Sequence, residues 1–223
     1  SMSNSARTDT PGGGTLSTVA RAIAAAPDAV TCASFLLLWI APTALGPDAV
    51  RGALLLMIVE FLLIHATAML GGTLEARRGD GRSPMPALLL FGALYLGMVG
   101  AFALAFGQWW PLAAMGWLLL GKLRTLRGAD GGEAARQQRK DDWALSMMAY
   151  LGGVVATSLL PLPRLGLQPD VVATLGLPGS GQWIESPQTG IAFGALYFGF
   201  LAWAKWRGIR LPRSNTAVPD RQD

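Results

Sequence analysis

Six stretches of this chain each approach the length of about 20 apolar residues that an α-helix needs to cross a bilayer, and breaks marked by proline, glycine or charge separate them. Lipid offers no water to backbone N–H and C=O groups, so only helices and closed barrels span it. The apolar runs are continuous rather than alternating, which selects helices. The expected fold is therefore all-α: a polytopic integral membrane helical bundle of about six transmembrane helices. Apolar residues make up 52% of the chain and charged residues 14%. A soluble domain carries roughly 25% charged residues.

The segments fall at 28–45, 48–71, 84–106, 109–122, 141–160 and 187–206. Their starts carry helix-start chemistry. Asp28 after Pro27 and Asp48 after Gly46-Pro47 read as N-caps. Ser83-Pro84 and Ser186-Pro187 place a cap before a proline at the first helical position. Pro42 is expected to bend the far end of the first segment. A disordered tail is expected over 1–15, one transmembrane domain over 16–208 and a disordered tail over 209–223. Residues 16–26 read as a short amphipathic helix on the membrane surface. The glycine-rich, charged loop 124–140 reads as a flexible solvated linker. Asp141 and Asp142, following it, are explained by the dipole of a helix N-terminus. The loop 161–185 is too apolar for a disordered linker. It is expected on the membrane face, with a short helix at Asp170–Leu175.

Orientation follows from the placement of Lys and Arg. With six spans and both termini in the cytoplasm, every one of the 18 basic residues except Arg51 and Arg164 lies on the cytoplasmic side. A multi-pass protein of the cell (inner) membrane is expected. Trp109 and Trp110 mark the outer interface, and Trp143, Trp203 and Trp206 the inner one, since an indole suits that depth. The net charge of +4 is distributed as topology determinants are, which argues against nucleic acid as a partner.

Glu60 is the costly residue. It is the sole Asp, Glu, Lys or Arg in the run 52–70, whose only other ionisable side chain is His65, and a charge at the bilayer centre costs about 2.5–3.5 kcal/mol on insertion scales. Such residues are functional by default. The rival reading is a neutral carboxyl hydrogen-bonded to a neighbour. His65, the one histidine, lies five residues on, about 140° around the helix. The two therefore do not share a face, whereas Thr67 lies on the Glu60 face. An ion or proton pathway through Glu60, His65 and Thr67 is the expectation, with Thr31, Ser34, Thr43, Ser146, Thr157 and Ser158 as polar intermediates in other segments.

Small residues recur every fourth position at Ala93, Gly97, Ala101 and Ala105, and again at Gly190 and Gly194. Such stripes let helices approach closely, within the chain or between copies. No cofactor is expected. A structural zinc site needs four ligands, one histidine cannot supply bis-His haem ligation, and no phosphate-binding or hydrolase motif is present.

The leading expectation is a small transporter or channel, proton- or cation-linked through Glu60. The alternatives are a scaffold or accessory subunit of a larger complex, and a membrane enzyme acting on a lipid or quinone. Expected partners are membrane lipids, a second copy of the chain, or another membrane protein.

Overall fold

The computed structural model of the chain describes residues 13–79, 83, 85–116 and 133–209. It is all-helical, with no strand among the described residues. The helices are α1 (Gly13–Ile40), α2 (Ala49–Gly79), α3 (Met85–Phe106), α4 (beginning at 110 and described to 116), α5 (Glu133–Leu159), the short α6 (Pro169–Thr174) and α7 (Gln182–Glu185), and α8 (Pro187–Arg207). Among the described residues, three stretches are long and apolar enough to cross a membrane: Thr18–Ile40, Ala49–Thr73 and Met85–Phe106.

Several predicted boundaries move. The surface helix at 16–26 and the first segment at 28–45 are one helix, and Pro27 lies inside it. Proline removes one donor, but alanines on both sides (Ala20, Ala22, Ala24, Ala25, Ala26, Ala29) favour continuation. Asp28 is accordingly a mid-helix residue and not a cap. The helix ends at Ile40, before Pro42, since a residue preceding proline is pushed out of the helical region. Residues 133–140, read as linker, form the first turns of α5. Glu133, Ala134, Ala135, Arg136 and Gln137 are strong helix formers. Asp141 and Asp142 therefore stand two turns into α5, where Gln137 Nε2 donates to Asp141 Oδ1 at 2.9 Å. Dipole stabilisation does not explain them. Residues 13–15 of the disordered tail expected over 1–15 are instead the first turn of α1; residues 1–12, the expected tail from 210 onward, the far end of the fourth segment and the loop over 124–132 lie outside the described residues.

Two other starts match their sequence signals. Asp48 directly precedes α2, and its carbonyl accepts from Gly52 N–H at 2.8 Å. Ser83 Oγ accepts from the Met85 N–H at 3.4 Å at the start of α3.

The main core lies among α1, α2, α5 and α8, with α8 at its centre. Of α8, everything from Pro187 to Ala195 is buried, as are Tyr197, Phe198, Leu201 and Ala204. Its most extensive neighbour is α1, which runs antiparallel to it. The close approach needs Gly194, since a Cβ there would run into the ring of Phe35. Cys32 packs at Gly199, and its Sγ donates to the Ala195 carbonyl at 3.2 Å. Parallel to α8 runs α2. Leu54 fits against Gly190, where an added Cβ would fall 2.6 Å from Leu54 Cδ2. A second cluster joins α2 to α3 and α4 through Leu62, Ala66, Leu70, Leu88, Tyr95, Val99 and Met115.

The segment between α5 and α8 folds over one end of the bundle, the cap end. Trp39 Nε1 donates to the Pro163 carbonyl at 2.9 Å, and Gly166 N–H donates back to the Trp39 carbonyl at 3.0 Å. Arg51 donates to the Gly176 carbonyl at 2.9 Å and lies 3.4 Å from Asp48. Leu167 and Leu175 enter the core, and Trp183 packs on Gly190 and Phe193. The opposite end, where α1 begins and α8 finishes, is the tail end.

Candidate functional site

Glu60 faces α8. The Tyr197 hydroxyl donates to Glu60 Oε1 at 2.7 Å. Parallel packing of α2 and α8 sets this pairing, because the register that brings Leu54 to Gly190 brings Glu60 to Tyr197 two turns further along. Ser146 on α5 lies close enough to the same phenol to act on it. One turn along α5, the Tyr150 hydroxyl donates to the Met57 carbonyl of α2 at 2.7 Å. Two tyrosines from two helices thus dock on one stretch of α2.

These hydroxyls are set among aromatic rings. Tyr150 and Tyr197 meet edge to face with centroids 5.5 Å apart. Phe193 stands edge-on to Tyr150 at 4.7 Å, and Phe198 edge-on to Tyr197 at 5.0 Å. Such pairs contribute about 0.5–1.5 kcal/mol beyond area burial. They fix where the phenols point. Gly153 makes room for this cluster, since a Cβ there would fall 2.7 Å from the Phe193 ring.

Toward the tail end, Asp28 of α1 forms an ion pair with Lys205 of α8. The aspartate is buried, while the lysine is largely exposed and brings its ammonium to the carboxylate along an extended stem. Both charges are close enough to act electrostatically on Glu60.

His65 does not join Glu60. Its ring stacks on Phe61 with centroids 4.6 Å apart, and its Nδ1 is buried without a hydrogen-bond partner. Phe61 in turn meets Tyr150 at 5.4 Å, so His65 reaches the Glu60 region only through aromatic carbon. Thr67 is half-buried, about two turns from Glu60 along α2. Of the polar intermediates, Thr31, Ser34 and Thr157 donate to carbonyls four residues back in their own helices. Ser146 is the one beside the Glu60–Tyr197 pair.

The small-residue stripes divide. Gly190 and Gly194 are buried contacts within the chain. Ala93, Gly97, Ala101 and Ala105 face away from the bundle, and nothing lies near a Cβ at Gly97. The buried face of α3 is instead Leu88, Gly92, Tyr95, Val99, Ala103 and Phe106. Trp109, Trp110, Trp203 and Trp206 are exposed. Trp143 is half-buried and donates to the Ile64 carbonyl at 3.1 Å, so its indole ties α5 to α2.

Sequence reasoning missed Tyr150, Tyr197 and Lys205 as partners of this site. A signal was present for the tyrosines. Both fall well inside apolar segments, far from the interfacial belt, where a phenol must find an acceptor. A cavity of about 410 Å³ also opens between α5 and α8, lined by Met148, Ala149, Gly152, Gly153, Leu196 and Tyr197 among others.

No family model, curated protein or solved structure matches the chain.

Proposed function

We propose that the chain is a six-span protein of the inner membrane, with both termini in the cytoplasm, that moves protons or small cations through Glu60. The single observation that carries this reading is the carboxylate of Glu60 held inside the bundle by the Tyr197 hydroxyl, with a charged pair, Asp28 and Lys205, nearby on two further helices. Intramembrane acids mark ion and proton pathways because lipid tolerates them poorly. Two charged side chains from other helices near the same acid extend the polar path beyond one residue. On this reading α1, α2, α3, α4, α5 and α8 are the spans, and 161–185 is the outer cap.

Reconstitution in liposomes tests the proposal. Wild-type protein is expected to carry a proton or cation flux that Glu60→Gln abolishes. Equal flux in both proteins, or none in either, overturns it.

A second reading, a protein handling a lipid or quinone, is supported by the cavity between α5 and α8, because its wall includes Tyr197. Co-purification of a stoichiometric lipid or quinone that is lost on Gly152→Leu would favour it over ion movement. A preparation free of such a molecule would rule it out.

A further inference from the structure

The seam between α5 and α8 is open on the outer flank of the bundle. Small residues of α5, Ala149, Gly152 and Ala156, form its floor, and Leu196, Tyr197 and Phe200 form its wall on α8. The cavity of about 410 Å³ falls within the range of about 300–1,000 Å³ that ligand sites occupy. Its chemistry narrows the occupant. The Tyr197 hydroxyl is the one polar side-chain group in the lining, and it is committed to Glu60. A quinone ring would strand its carbonyl oxygens there, whereas a hydrocarbon chain strands nothing.

The groove has a closed end and an open one. From Pro187 to Ala195 every residue of α8 is buried, and α7 of the cap packs on this half of the helix. Exposure on the outer flank begins at Leu196 and continues at Phe200, Trp203 and Arg207. Spacings of four, three and four put these side chains on one stripe of the helix. The stripe is about 16 Å long at 1.5 Å per residue. That is about half of the 30 Å hydrocarbon core of a bilayer, or one leaflet. Phe200 and Trp203 meet with ring centroids 5.8 Å apart, which sets an indole beside the open end, as suits an interface.

The open end, toward the tail end of the bundle, carries both signs of charge. On α5, Asp141 stands one turn before Leu145 and Asp142 two turns before Ala149, so both acids share the flank of the groove. Helices α5 and α8 are antiparallel, and Tyr150 and Tyr197 set their register with ring centroids 5.5 Å apart. Asp142 lies eight residues before Tyr150, and Arg207 ten after Tyr197. The two therefore come level to within about 3 Å along the bundle axis. Both are exposed, and among the described residues neither has an ion pair.

We infer that the groove holds one acyl chain of a phospholipid from the tail-side leaflet, whose phosphate pairs with Arg207 and whose primary ammonium pairs with Asp142 and Asp141. The inference rests on the lipid reading of this cavity and names its ligand. A guanidinium forks onto phosphate oxygens, and an ammonium offers three N–H donors to carboxylates. The headgroup that carries both is phosphoethanolamine. A choline headgroup has no N–H to donate. A glycerol headgroup keeps the phosphate but brings no positive charge to the acids.

The test offers the full chain, in detergent, equal amounts of three phospholipids with identical chains and ethanolamine, choline or glycerol headgroups. Native mass spectrometry identifies the first lipid retained. The ethanolamine lipid is expected to lead each of the others several-fold. Nothing lies within 4 Å of a Cβ at Gly152, so Gly152→Leu fills the groove without pressing on the fold, and is expected to lose the retained lipid. Asp142→Asn is expected to bring the ethanolamine lipid down to the level of the choline lipid. Arg207→Ala is expected to lower all three several-fold, with a melting midpoint near wild type.

A headgroup preference that survives Gly152→Leu, or that Asp142→Asn leaves intact, overturns the inference. Lipid that is lost on Gly152→Leu yet binds without regard to headgroup also overturns it, and leaves the lipid reading standing. A chain that retains no lipid sinks both. A dimer broken by Gly152→Leu, with no lipid bound, makes the groove an interface between copies and overturns the inference as well.

Discussion

Tyr197 and Glu60, 137 positions apart in the chain, share a hydrogen bond of 2.7 Å between two parallel helices. The bond gives the carboxylate a fixed partner inside the bundle. It also makes the pair sensitive to the difference between losing a charge and losing an acceptor.

Glu60→Gln retains an acceptor oxygen for the Tyr197 hydroxyl, so its thermal midpoint in detergent should stay close to wild type while flux is lost. Glu60→Leu strands a buried hydroxyl, at a cost of about 1–3 kcal/mol, and should lower the midpoint. Tyr197→Phe should be milder, near the average of about 0.6 kcal/mol for hydrogen bonds between membrane helices. Equal midpoints for the Gln and Leu variants would show that the bond contributes nothing to folding.

The two kinds of small-residue stripe should respond differently to one substitution. Gly194→Val drives a branched side chain into Phe35, and overpacking of this sort costs about 1–3 kcal/mol. Gly97→Val enters open space on α3 and should leave the monomer fold intact. If copies associate through Ala93, Gly97, Ala101 and Ala105, the same change should shrink the particle in light scattering. An unchanged mass would remove that stripe from any oligomer interface.

The cap should be a structural part of the bundle rather than a separable loop. Leu167 is fully buried, and truncating a buried leucine to alanine costs about 2–5 kcal/mol. Leu167→Ala should therefore lower the melting midpoint of the whole protein in a single transition. A separate early transition, with the main one unmoved, would mean that the cap unfolds alone.

On the six-span proposal, the cap and the end of α8 lie on opposite sides of the membrane. In a Cys32→Ser background, Gln168→Cys should react with an impermeant maleimide on intact cells, and Gly208→Cys should react only after lysis. Reaction of both on intact cells would fit three spans alone, ending at α3.

What was legible in the sequence followed local rules. Continuous apolar runs announce helices for lipid, and Ser83-Pro84 and Asp48 mark where helices begin. Glu60 stands out because one charge in such a run has no local explanation. Its partner was out of reach, since no spacing rule links position 60 to 197. Pro27 misled for a related reason. Proline is a strong local break signal, yet packing of α1 along α8 carries the helix through it and turns Asp28 from a cap into the partner of Lys205. The exposed stripe on α3 shows the converse: a pattern of small residues does not say which neighbour, if any, uses it.

The cap gives the bundle a fulcrum. It ties α1 and α2 at one end by backbone and side-chain hydrogen bonds and packs Trp183 on α8, while nearer the other end Asp28 of α1 pairs with Lys205 of α8. Helix α1 has 28 residues and is about 42 Å long at 1.5 Å per residue. Pivoting it by about 5° at the cap swings its far end through roughly 4 Å, and Asp28, about 18 Å from Ile40, through roughly 1.6 Å. A stiff lever pinned at one end turns a slight tilt into a parting that grows along its length, and in this protein the Asp28–Lys205 pair resists that parting midway along α1.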